Sequence, residues 1–106
     1  QRETLDHMVE ATEWMIDGLK PGVPLEFVYT ESRGRDITPF GHGIGLEICE
    51  TPWIVRNQTF TLEPNMVVCV EPMLGSPVFG SMAIEDTVVV TEMGVEVLNQ
   101  CPRVFW

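Results

Sequence analysis

The chain has 106 residues, enough for one domain at most, and folding hides roughly 60–70% of the extended surface of a chain this size. A hydrophobic content of 44% excludes intrinsic disorder. Sixteen acidic residues against six basic ones give a net charge of −10, which repels phosphates and anionic bilayers, so neither nucleic acid nor a membrane is an expected partner.

Residues 4–19 read as one amphipathic helix. Leu5, Met8, Val9, Thr12, Met15, Ile16 and Leu19 recur at three- and four-residue steps, with Asp6, Glu10, Glu13 and Asp17 on the opposite side. His7 falls on that polar side and is expected to be solvated. Pro21-Gly22 stops the helix, and a shorter one is expected from Leu25 to Arg33, before a loop opened by Gly34, Asp36 and Pro39. Strand character follows. Gly41 to Glu50 is glycine-rich and then apolar, Met66 to Val70 reads as a strand buried on both faces, and Ile84 to Thr91 alternates. Glu92-Met93-Gly94 reads as a hairpin turn into Val95–Leu98. Helices followed by strands predict an α+β fold with an antiparallel sheet. Its expected core is Leu5, Met8, Met15, Ile16, Leu19, Val68, Val88 and Val90.

Three cysteines, Cys49, Cys69 and Cys101, form no CxxC pair, which argues against a disulfide framework or a structural zinc site. A reducing, cytoplasmic setting is the default expectation. No stretch approaches the roughly 20 apolar residues of a membrane helix. Gln1-Arg2-Glu3 does not open a signal peptide, and with no Met at the start the chain reads as a piece of a longer protein. Cys69, within an apolar run, reads as a small buried hydrophobe rather than a nucleophile.

Three ionisable groups stand where the pattern calls for apolar ones. His42 lies within Gly41-His42-Gly43-Ile44-Gly45-Leu46, Glu71 ends Met66-Val67-Val68-Cys69-Val70, and Glu85 interrupts Ala83 to Val90. A carboxylate continuing a buried strand is costly unless paired, protonated or bound to a metal. Taken singly, His42 could be a loop residue, Glu71 could mark a strand reaching solvent, and Glu85 beside Asp86 could be a solvated edge. Together they form a ligand set suited to divalent Mn, Co, Fe or Zn.

Three segments resemble motifs of the pita-bread metallohydrolases, the methionine aminopeptidase, Xaa-Pro dipeptidase and creatinase-like class. Gly41 to Glu47 resembles the histidine motif. Leu62-Glu63-Pro64-Asn65-Met66 through Glu71-Pro72 resembles the strand that carries a ligand glutamate, with Asn65 where glycine is usual. Ile84-Glu85-Asp86-Thr87-Val88-Val89-Val90-Thr91-Glu92-Met93-Gly94 resembles the closing hairpin. Intervals of 29 positions from His42 to Glu71 and 14 from Glu71 to Glu85 suit the dipeptidase branch. The resemblance covers residues 1–106 and implies the C-terminal part of a pita-bread domain, with a curved antiparallel sheet and helices on its convex face. It implies metal ligation by His42, Glu71 and Glu85, catalytic roles for His42 and Glu71, and two divalent ions per complete site. Glu85 would bridge the ions, and Glu71 would shuttle a proton while an activated water attacks an amide carbonyl. The side-chain tips of the three should converge within roughly 4–6 Å.

The resemblance implies that the family's two ligand aspartates precede the first helix, upstream of Gln1; Asp6 and Asp17, on that helix's polar face, cannot replace them. The chain by itself is then expected to be inactive and to associate, as a homo-oligomer or with the N-terminal half. The family peptidases usually carry a second histidine seven residues after the first, where this chain has Cys49, a weak donor. The expected activity is metal-dependent release of N-terminal residues from short peptides. The alternatives are a hydrolase of a small amide or amidine metabolite, like creatinase or ectoine hydrolase, and a non-catalytic partner-binding relative. Pro39, Phe40 and Trp53 flank the histidine motif, as pocket lining or as core.

Overall fold

A computed structural model describes residues 2–103; Gln1 and residues 104–106, the ends of the stretch the resemblance covers, lie outside it. Helix α1 spans Arg2–Gly18 and α2 spans Leu25–Arg33. α1 begins two residues before the expected start. Met8, Ala11, Thr12, Met15 and Ile16 are its buried stripe, with Leu19 just beyond its end. Thr12 is tolerated there because its hydroxyl donates to the Met8 carbonyl at 2.7 Å. α2 starts after Pro24 without a side-chain cap. Instead, the Leu25 and Glu26 N–H groups donate to the carbonyls of Phe60 and Gln58, so a distant loop satisfies the first turn.

Seven strands follow: β1 (Gly41–Gly43), β2 (Glu50–Trp53), β3 (Val67–Val70), β4 (Met73–Ser76), β5 (Gly80–Ala83), β6 (Asp86–Val90) and β7 (Val95–Val97). Five form an antiparallel sheet in the order β2-β1-β3-β6-β7, and β4 and β5 form a separate hairpin. The expected α+β class and antiparallel sheet are therefore present. Val68, Val70, Val88 and Val90, each at most 1% exposed, join the α1 and α2 stripes in one core with Leu25, Val28, Ile54 and Leu62. Both helices thus cover one face of the sheet.

Three expectations need correction. Gly41 to Glu50 is not one strand: β1 stops at Gly43, and Ile44–Cys49 is an exposed loop before β2. The loop is closed by the Glu50 carboxylate, which accepts from the Glu47 N–H at 3.0 Å. Leu5 is half-buried rather than core, beside a cavity of about 200 Å³ next to the C-terminal segment. His7 is not simply solvated, because its Nε2 lies 2.7 Å from the Arg35 carbonyl and ties α1 to the loop after α2. No helix among the described residues is long and apolar enough to cross a membrane.

Candidate metal centre

Sheet register builds this site. β1 and β3 pair with His42 opposite Cys69, and β3 and β6 pair with Cys69 opposite Thr87. Side chains alternate between faces, so this row points away from Val68, Val70 and Val88. Glu71 is two residues after Cys69, and Glu85 two before Thr87, so both continue the same face one row further along. The Glu71 N–H donates to the Phe40 carbonyl at 2.9 Å, which carries the β1–β3 ladder on to Glu71. Two glutamates and a histidine from three separate segments meet because a period of two and an antiparallel register leave them nowhere else to go.

His42 is 3% exposed, and its Nδ1 lies 2.9 Å from the Gly43 carbonyl. A carbonyl accepts only, so in the neutral ring Nδ1 carries the proton and Nε2 presents a lone pair. That Nε2 lies 3.9 Å from a Glu71 oxygen and 3.9 Å from a Glu85 oxygen. These gaps are too wide for hydrogen bonds, yet one ion with ligand bonds of about 2.0–2.2 Å on each side closes them. The donor set of imidazole nitrogen and carboxylate oxygen fits a divalent transition ion. The side chains grade outward, with Glu71 27% and Glu85 51% exposed, so the centre opens to solvent on the Glu85 side.

Backbone crowding explains the glycines around His42. A Cβ on Gly41 would stand 2.5 Å from the Cys69 carbonyl oxygen and 2.6 Å from Ile54 Cδ1. A Cβ on Gly43 would strike the Thr51 carbonyl. Phe40 and Trp53 stack around the imidazole at centroid distances of 6.0 and 6.1 Å, so they hold the ring and form its wall. A cavity of about 360 Å³ lined by Ile44, Glu50 and Phe60 lies beside the loop, and His42, Glu71 and Glu85 do not line it.

Two neighbours were not foreseen. Cys69 shares the ligand face: its Sγ, a His42 nitrogen and a Glu85 oxygen all lie within 4.8 Å of one another. Burial pushes its thiol upward, Glu85 adds to this, and the Thr87 hydroxyl 3.6 Å away acts in the opposite direction. Asp86, beside the half-exposed Glu85, is 2% exposed. Its carboxylate accepts from the Asn99 amide at 2.6 Å and pairs with the Arg103 guanidinium, which also reaches Glu13 at 3.1 Å. The signal was present in the sequence, because Asp86 is in phase with Val88 and Val90 on the buried face.

The sequence profile of metallopeptidase family M24 matches residues 1–92. The chain belongs to metallopeptidase family M24. The Xaa-Pro dipeptidase of Pyrococcus furiosus is 33% identical over an alignment, gaps included, of 114 positions that covers 97% of this chain and 32% of that protein. Among solved structures, an X-Pro aminopeptidase from Thermotoga maritima superposes with a TM-score of 0.88 at 31% identity, covering 96% of this chain and 32% of its own. Dipeptidase PepE from Mycobacterium ulcerans gives a TM-score of 0.86 at 30% identity, covering 96% of this chain and 30% of its own. This M24 chain therefore spans about a third of the length of the relatives it matches.

Proposed function

We propose that this M24 chain supplies His42, Glu71 and Glu85 to the centre of a metal-dependent peptidase that removes N-terminal residues from short peptides. The observation that carries the reading is one buried imidazole nitrogen set 3.9 Å from two carboxylates on the same sheet face. Divalent ions held there would supply Lewis acidity and a more acidic water. His42, locked by Gly43 and walled by Phe40 and Trp53, fixes the direction of its lone pair. Glu85, the more exposed of the two carboxylates, would hold an ion on the side open to solvent. Glu71, held by the Phe40 carbonyl through its own N–H, takes a proton from the attacking water and returns it to the leaving amine.

Asp6 and Asp17 are exposed on α1, and we assign the remaining ligands to residues outside 1–106. These residues then form the C-terminal part of a longer catalytic domain. Cys49 favours a second reading, hydrolysis of a small amide, since an exposed thiol replaces the imidazole that the resemblance expects at that position.

The test is the full-length protein with manganese or cobalt, offered Xaa-Pro dipeptides and a panel of small amides. Dipeptide cleavage that falls at least 100-fold in Glu71→Gln supports the peptidase reading, by the size of a typical general-base contribution. Turnover of the small amides alone transfers the site to the second reading, and inactivity toward both removes the hydrolytic one.

A further inference from the structure

We propose that Cys69 forms, with His42 and Glu85, a distinct mononuclear site for a thiophilic divalent ion, zinc or cobalt(II). The three donor atoms already lie within 4.8 Å of one another. Two of the residues are 3% and 2% exposed, and they face each other by strand pairing rather than by a chance rotamer. Within this group the His42 Nε2 makes no hydrogen bond among the described residues, its carboxylate neighbours lying 3.9 Å away. The thiol has a weak contact at 3.6 Å with the Thr87 hydroxyl and the Glu85 carboxylate on its other side.

Imidazole nitrogen, thiolate sulfur and carboxylate oxygen are the ligand types of tetrahedral zinc, with a fourth position left for water. Tetrahedral bonds of about 2.0–2.3 Å set the donor atoms about 3.3–3.7 Å apart, so the cluster needs to contract by roughly an ångström. Glu85 is the side chain free to do this, at 51% exposed. On binding, the sulfur–metal bond forms as the thiol proton passes to solvent. Hard ions such as manganese gain little from sulfur and remain with the carboxylates. The set excludes Glu71, so it does not depend on the hydrolytic reading. It competes with that reading for His42 and Glu85, and the residue beside the histidine thereby decides which ion the centre retains.

The probes are cobalt(II) and zinc, added to protein in which Cys49 and Cys101 are serine, so that Cys69 is the one thiol of residues 1–106. Cobalt should give an intense near-ultraviolet sulfur-to-metal charge-transfer band that disappears in Cys69→Ala. Zinc affinity should fall by at least the 10–100-fold that loss of an outer partner costs, while manganese affinity stays unchanged. Zinc-edge X-ray absorption should place sulfur at about 2.3 Å from the metal. This last measurement uses protein that retains Cys69, so it stands even if the alanine variant does not fold. Zinc bound without a sulfur neighbour, no zinc binding, or unchanged zinc affinity in Cys69→Ala would overturn the proposal. A protein inactive on peptides that shows the band keeps this site and loses the hydrolytic one, and an active protein without the band does the reverse.

Discussion

Truncating Arg103 to alanine leaves the Asp86 carboxylate, 2% exposed, held by the Asn99 amide alone among the described residues. Breaking a buried pair from one side costs about 3–5 kcal/mol, because a charge stays behind without its partner. Urea unfolding followed by tryptophan fluorescence should therefore show Arg103→Ala less stable by about 3 kcal/mol, with the denaturant slope unchanged. Replacing both partners with apolar residues should recover most of the loss, and a single variant within about 0.5 kcal/mol of wild type would refute the pairing. The cysteines separate by the same logic. Cys49 and Cys101 are exposed, whereas Cys69 is buried and its thiol is pushed upward by that burial. Iodoacetamide should label the first two in the native, metal-free protein and reach Cys69 only after unfolding, as read by peptide mass mapping. A raised thiol favours the protonated form on folding. Its contribution is present below the unfolded-state value and is lost as pH rises through the folded one.

At the scale of elements, crowding around β1 gives a sharp contrast. Gly43→Ala drives a methyl into the Thr51 carbonyl, and overpacking of this kind costs about 1–3 kcal/mol. Gly75→Ala, with nothing within 4 Å of the new Cβ, should change stability by less than about 0.5 kcal/mol. Thermal unfolding of the two variants side by side is the check. Asn65 makes a related point: its φ of 73° is left-handed, the conformation glycine adopts freely and asparagine tolerates. That accounts for asparagine at a position where the resemblance expects glycine. Asn65→Gly should be close to neutral, and Asn65→Val should cost about 1–2 kcal/mol in the same assay. The legible elements were those whose signals are local. Pro21-Gly22 and Gly34 bracket α2, and the alternation of Val88 and Val90 announced β6. The β4–β5 hairpin was missed because Gly75, Ser76, Gly80 and Ser81 leave no hydrophobic period to read. The break after Gly43 was missed because it depends on Thr51 and Glu50, several residues downstream. His42, Glu71 and Glu85 stood out as polar groups interrupting apolar runs. Cys69 is in phase with Glu71 along its own strand, but its place beside His42 and Glu85 follows only from how β1, β3 and β6 align.

For the whole molecule, a centre that binds ions in the folded state alone links metal concentration to stability. At a hundred times the dissociation constant the gain is about 2.7 kcal/mol. In a domain near 100 residues that raises the unfolding temperature by on the order of 10 °C. Cobalt should produce such a rise, EDTA should reverse it, and Glu71→Gln with Glu85→Gln should abolish it without lowering the metal-free midpoint, since both side chains are partly exposed. A shift that survives the double change would place the ion elsewhere.

On β3 and β6 the side chains of Val68, Val70, Val88 and Val90 face the core, while Cys69, with Glu71 and Glu85 one residue beyond the strand ends, faces the other way, where we propose the chemistry. Heredity meets this division as a parity rule. On the proposed reading, a point change at one parity tunes which ion the protein accepts, and at the other it tunes how well the protein lasts. Deleting a single codon within either strand reverses the facing of the residues on one side of the gap relative to those on the other, so part of one set lands where the other belonged. Chemistry in this scaffold can therefore drift by substitution over long periods, while the lengths of these two strands stay closed to change.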